Sequence, residues 1–241
     1  MGILTQNKKL LTGTKAIAER TLNALLEQDC LLCGQSCGSR IVCPACAGDL
    51  PRLPVSRCPR CALPTPGGEL CGRCLAQPPH YDRTLAVFNY GFPLDKLLQS
   101  FKYAHRLSLA PFFGRFLADE AMGCSADLIV PLPLHRTRLS ERGFNQALEL
   151  ARPVAHALRK PIDTDCCTRV RHTSAQAGLP WRERAKNIRG AFHCPGELQG
   201  ERILLVDDVM TTGASLNECA RTLKLHGAGE VTLLVVARAL P

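Results

Sequence analysis

The sequence predicts an α/β fold: an open, mostly parallel sheet with helices on both faces, preceded by a small cysteine-rich module. Three observations predict it. Short apolar runs at 127–131, 202–206 and 230–237 read as buried strands. Segments of helical period separate them, the pattern of a parallel sheet covered on both sides. Nine of the 14 cysteines crowd between Cys30 and Cys74, in a stretch with no long helical or strand period. With 241 residues, the chain can build a medium domain plus a small one. The boundaries fall at 1–29, 30–79 and 80–241.

In the first region, Leu10, Leu11, Ile17, Leu22, Leu25 and Leu26 are spaced as a loose amphipathic helix. The region has no uninterrupted apolar core followed by a small-residue cleavage site, so no secretory signal is read there. No stretch approaches the roughly 18 apolar residues of a membrane span. The expected compartment is the cytoplasm, which is reducing and where structural disulfides are rare. Metal then becomes the leading explanation for the cysteines.

Those cysteines repeat. Four CxxC pairs occur, Cys30/Cys33, Cys43/Cys46, Cys58/Cys61 and Cys71/Cys74; paired knuckles start 13 residues apart, and the unit recurs after 28. A CxxC turn sets two thiolates on one side of a tight knuckle, and two knuckles complete a tetrahedral zinc site. The simplest partition gives one zinc to Cys30, Cys33, Cys43 and Cys46 and a second to Cys58, Cys61, Cys71 and Cys74; interleaved ligation is the alternative. Four thiolates leave no open position, so the metal is expected to be structural. Cys37 has Thr65 as its counterpart and reads as a free thiol or a substitute ligand. The module is expected to have a core separate from that of the sheet.

Beyond the module, 84–90 reads as a strand. Residues 93–121 read as helical, with a break or new start at Pro111. A short strand covers 127–131, and 144–159 has helical period interrupted by Pro153. Residues 165–192 are polar and basic, with a short helix around Trp181–Asn187. The strand 202–206, a helix over 213–226 and the strand 230–237 follow. Ligands of such sheets bind beyond the carboxyl ends of the strands, here the loops after Val130 and Val206.

The second of these loops is the most informative segment. After the apolar strand come Asp207 and Asp208, then Thr211, Thr212, Gly213, Ala214 and Ser215, then a helix. A helix N-terminus presents unpaired N–H groups and partial positive charge, which suits a phosphate. The hydroxyls add donors, and Gly213 allows close backbone approach. Carboxylates repel phosphate but accept hydrogen bonds from sugar hydroxyls. A ribose 5-phosphate therefore satisfies both halves of the segment. A merely capped helix accounts for one or two of these polar residues, not for two acids followed by TTGAS.

The segment VDDVMTTGAS resembles the ribose-phosphate signature of type I phosphoribosyltransferases. With FKYAHRLSLA (101–110), VPLPLHRTRLSERGFNQA (130–147) and RHTSAQAGLPWRERAKNIRGAF (171–192), the chain is similar to the ComF family, which also carries an N-terminal cysteine module, a double zinc ribbon. One departure is His105, where relatives often have glycine. The resemblance implies a type I phosphoribosyltransferase-like fold binding 5-phosphoribosyl-1-pyrophosphate with Mg²⁺. It gives Asp207 and Asp208 the ribose hydroxyls and Thr211–Ser215 the 5′-phosphate. It gives the pyrophosphate to Leu132–Arg138, including Arg136 and Arg138, and to Arg142, Asn145 and Gln146. A closing loop over 171–190 holds Arg171, Arg182, Arg184, Lys186 and Arg189.

Charge agrees with these anionic ligands. The net charge is +9, and from His135 to Gly190 there are 12 Lys/Arg against 5 Asp/Glu. Two alternative functions are expected from the resemblance. One is a phosphoribosyltransferase-like protein linked to DNA uptake, with an acceptor the sequence does not name. The other is a non-catalytic ribose-phosphate sensor or a single-stranded DNA-binding protein in DNA uptake. Aromatic residues make up only 5% of the chain, which argues against extensive base stacking.

Overall fold

The computed structural model describes residues 28–172 and 188–240. The helix expected before Cys30 and the loop residues Arg182, Arg184 and Lys186 fall outside them. The chain divides into two compact units, Met1–Leu50 and Pro51–Pro241.

The first unit contains the first two knuckles and a short helix, α1 (Pro44–Gly48), capped by Cys43. The second unit opens with the other two knuckles and helix α2 (Gly72–Ala76). The 28-residue repeat in sequence is also a repeat in backbone. The bridge between Asp29 and Ser36 recurs between Arg57 and Pro64. The Cys30 amide bonds to the Gln35 carbonyl as the Cys58 amide does to Leu63. Gly34 at φ +71° has its counterpart in Ala62 at φ +57°. Both are in the left-handed region, where a glycine is at ease and an alanine is strained.

The remainder of the second unit runs β1 (Arg83–Asn89), α3 (Leu94–Tyr103), α4 (Leu109–Glu120), β2 (Leu128–Pro131), α5 (Arg136–Arg142), α6 (Gln146–Leu158), β3 (Thr168–Arg169), β4 (Phe192–His193), β5 (Arg202–Met210), α7 (Ala214–Leu225) and β6 (Glu230–Arg238). β1, β6, β5 and β2 form one parallel sheet in that order, and β3 pairs with β4 as a separate antiparallel ribbon. The central strands β5 and β6 are buried almost throughout, as a sheet covered on both faces requires.

Several elements differ from expectation for local reasons. Pro111 lies in the first turn of α4, where a missing N–H costs nothing, so it marks a start. Pro153 lies inside α6 without ending it, and a Cβ built on Gly114 of α4 would sit 2.3 Å from Pro153 Cγ. The two helices thus meet where one offers a ring and the other no side chain. β5 does not stop at Val206 but continues through both acids to Met210, with Asp207 opposite Val235 and Met210 opposite Arg238. α5 and the β3–β4 ribbon were not read from the sequence. His105 has φ +53°, which explains why glycine suits that turn; its ring lies 5.7 Å from that of Phe144.

The expectation of separate cores is overturned. One apolar cluster joins Leu53, Cys58, Cys61, Ala62 and Cys74 to sheet residues such as Val130, Leu205 and Val235. The second knuckle pair is short of apolar residues of its own, and it buries what it has against the sheet's core.

Candidate functional site

The end of β5 places both acids within the fold rather than in a loop. Asp207 and Asp208 are buried, and Oδ1 of Asp207 lies buried without a hydrogen-bond partner among the described residues. Burial pushes the Asp207 carboxyl up to about 6, against the pull of Lys102, Arg169 and Arg142. Asp208 accepts the Val209 amide at 2.8 Å and forms an ion pair with Lys102 Nζ at 2.5 Å. Lys102, on the last turn of α3, is pulled down to about 8 by burial, opposed by Asp207 and reinforced by Arg142 and Arg138.

These interactions bring together two acids and four cations from four elements: Lys102 of α3, Arg138 and Arg142 of α5, and Arg169 of β3. Arg142 donates to Gln146 Oε1 at 2.5 Å. Asn145 caps α6 by accepting the Ala147 amide at 3.0 Å, and its Nδ2 donates to the Leu132 carbonyl at 3.2 Å, tying down the loop after β2. Arg136 is exposed on the first turn of α5. Arg171 Nη1 donates to the Arg189 carbonyl at 2.6 Å. Lys102 and Arg169 were missed as site residues. A signal for Lys102 was present: it lies four residues after Leu98, on the flank of the helix face that Leu94, Leu97, Leu98 and Phe101 bury. A lysine there calls for an anionic partner.

Beyond Met210 the chain turns into α7. Gly213 caps that helix with φ +78°, and a Cβ on it would lie 2.6 Å from Met210 Cε. Thr212 Oγ1 accepts the Ala214 amide at 3.3 Å. Thr211 is exposed, while Thr212, Ala214 and Ser215 are half-buried. A turn with a left-handed glycine, flanking hydroxyls and a helix start has the chemistry to receive an anion.

Each four-cysteine set closes on itself. The Sγ atoms of Cys30, Cys33, Cys43 and Cys46 lie within 4.8 Å of one another, as do those of Cys58, Cys61, Cys71 and Cys74. That spacing and donor set fit a tetrahedral zinc, and the partition is the simple one rather than the interleaved one. Cys37 stays outside: its thiol donates to the Arg40 carbonyl at 2.7 Å. At the corresponding position Thr65 Oγ1 also donates to a nearby turn carbonyl, that of Glu69, at 3.1 Å. The position therefore serves a turn, not a metal.

Comparison with known proteins agrees with this division. Residues 21–75 match the double zinc ribbon domain, and residues 145–240 match the phosphoribosyl transferase domain. DNA utilization protein YhgH of Salmonella typhimurium is 37% identical over 207 residues, covering 83% of this chain and 91% of that protein. Competence protein F of Haemophilus influenzae is 31% identical over 214 residues, covering 82% and 90%. The chain belongs to the ComF family. A more distant member, competence protein ComFC of Streptococcus pneumoniae, is 24% identical over 225 residues, 87% of this chain and 99% of that one. ComF membership accounts for the order of parts, zinc ribbons first and a phosphoribosyltransferase-like sheet after. Among the described residues no helix is long and apolar enough to cross a membrane.

Proposed function

We propose that this ComF protein binds 5-phosphoribosyl-1-pyrophosphate with Mg²⁺ between the ends of β5 and β2. The observation that carries the reading is the pair of buried acids running directly into an anion nest, faced by Lys102, Arg138, Arg142 and Arg169. Asp207 and Asp208 accept the ribose hydroxyls, and the orphaned Oδ1 of Asp207 suits a hydroxyl or a water on Mg²⁺. The amides and hydroxyls of 211–215 hold the 5′-phosphate. Arg138 and Arg142 hold the pyrophosphate, with Arg136, Asn145 and Gln146 shaping its loop. Bound Mg²⁺ would neutralise pyrophosphate charge.

Such a site supports displacement at ribose C1. The bond from C1 to the pyrophosphate oxygen breaks with its electron pair leaving on pyrophosphate, and a nucleophile supplies the new bond. The arginines stabilise the departing charge and the acids orient the sugar. The acceptor is unassigned, and release of pyrophosphate across a panel of nucleophiles identifies it. Gly213→Val tests the binding site itself. A branched side chain cannot hold φ +78° without strain and would crowd Met210. The folded variant should lose about tenfold or more in calorimetric affinity for the ligand with Mg²⁺, close to the value of one charge-assisted hydrogen bond. Unchanged affinity refutes the assignment.

A link to DNA uptake is part of the proposal, because relatives bear the names competence protein and DNA utilization protein and the chain carries +9. The second reading is a ribose-phosphate sensor or single-stranded DNA binder without transfer. A binder never releases pyrophosphate from the labelled ligand, whatever the acceptor.

A further inference from the structure

Arg238 ends β6 opposite Met210, the last residue of β5, and is 2% exposed. Its guanidinium spends its donors on backbone. Nε donates to the Cys61 carbonyl at 2.8 Å, and Nη1 donates to the carbonyls of Met210 at 2.9 Å, Ala239 at 2.6 Å and Thr211. Among the described residues no carboxylate pairs with it in an ion pair within 4 Å. A buried cation without a counter-charge is costly. The adjacent four-cysteine set supplies one, since a divalent ion held by four thiolates carries a net charge of about −2. Arg73, inside the same knuckle pair next to Cys74, donates from Nη2 to the Thr212 carbonyl at 3.0 Å. Two arginines anchored at this knuckle pair thus hold the carbonyls of three successive residues, 210, 211 and 212.

Holding those carbonyls aims the phosphate nest. In a trans peptide the carbonyl and the following N–H point to opposite sides. Drawing the carbonyls of Met210, Thr211 and Thr212 toward the arginines therefore turns the N–H groups of Thr211, Thr212 and Gly213 the other way. We propose that Arg238 is a positioning residue that couples the second four-cysteine site to the phosphate loop, so that metal at Cys58, Cys61, Cys71 and Cys74 and ribose phosphate at 211–215 bind cooperatively. The coupling rests on the ribose-phosphate reading above. It is reciprocal: ligand binding tightens the hold on this metal, as loss of the metal loosens the loop. The first site has Ala45 where the second has Arg73.

The test is zinc transfer from the full chain to a chromogenic chelator, with and without saturating 5-phosphoribosyl-1-pyrophosphate and Mg²⁺, with binding followed by calorimetry on the same samples. One of the two zinc equivalents should leave about tenfold more slowly when ligand is bound. A Cys30→Ser/Cys33→Ser variant, keeping only the second site, should retain the protected equivalent. Arg238→Lys keeps the charge but cannot span four carbonyls, and should abolish protection while two zinc ions remain bound. Arg73→Ala changes a more accessible residue and should reduce protection severalfold. Protection that survives both substitutions, or ligand that binds without protecting any zinc, overturns the coupling and leaves the binding site standing. Absence of ligand binding in the wild type overturns both.

Discussion

At Cys30 and again at Cys58 the chain makes the same turn, with the same bridge, a left-handed residue at the same position and a short helix that starts right after the third cysteine of its set. The surroundings differ. In the first set Cys30 is buried, Cys33 exposed, and Cys43 and Cys46 half-buried; in the second, Cys58, Cys61 and Cys74 are buried in the apolar cluster of the sheet and Cys71 is half-buried against it. A duplicated local fold therefore does not imply a duplicated role. One site is a knuckle pair closed by its metal ligands, and the other is also part of the core on which β5 and β6 rest. The lesson is energetic: the same four ligands matter to different amounts of structure, according to what packs on them.

The sharpest way to break this comparison is to remove ligands from each site in turn. Cys58→Ala/Cys61→Ala should destabilise the whole unit 51–241 by several kcal/mol, about the order seen when buried, metal-linked groups are lost. Exchange of the β5 and β6 amides reads that loss. Cys30→Ala/Cys33→Ala should remove one zinc and leave the protection of those amides unchanged, because these cysteines belong to the other compact unit, Met1–Leu50. Equal loss of protection in both variants would mean the sites do not differ.

A smaller effect should appear at the left-handed positions. Gly34→Ala adds strain of about 1 kcal/mol and should make zinc easier to extract from the first site. Ala62→Gly relieves similar strain but forfeits a buried methyl group and orders a freer chain, so its net effect should lie within about 0.5 kcal/mol of zero. Thermal unfolding of the sheet unit measures it. Smallest of all, Cys37→Thr should change neither the zinc content of two nor the stability by more than about 0.5 kcal/mol, since Cys37 bonds only a turn carbonyl and its counterpart Thr65 also donates its hydroxyl to a turn carbonyl.

The parts legible in the sequence were those written in short-range pattern. CxxC spacing located both metal sites, and apolar runs located β2, β5 and β6. The VDDVMTTGAS segment marked the place where the acids run into the hydroxyl-rich turn before α7. What was not legible depends on partners distant in the chain. Asp207 and Asp208 interrupt an apolar run, so the strand seemed to end at Val206; only pairing with β6 carries it to Met210. Pro153 looked like an interruption because its companion, Gly114, lies on another helix. The shared core was hidden because Cys58 and Cys61 read as ligands, although their side chains are also apolar bulk against the sheet. Arg238 ends an apolar strand, and nothing nearby shows that its partners are carbonyls at 61, 210 and 211.

The most direct test of ribose recognition at β5 uses Asp207→Asn/Asp208→Asn. The substitution is nearly isosteric, relieves Lys102 of its partner's charge and weakens both acceptors. Calorimetric titration with 5-phosphoribosyl-1-pyrophosphate and Mg²⁺ should show at least a tenfold loss of affinity, since a hydrogen bond to a charged group is worth about 1.5–3 kcal/mol. Titration with single-stranded DNA at the same fixed salt concentration should show affinity unchanged or slightly higher, because such binding depends on Lys and Arg contacts to phosphates. Sugar-phosphate affinity equal to that of the wild type, with DNA affinity lost instead, would contradict the account.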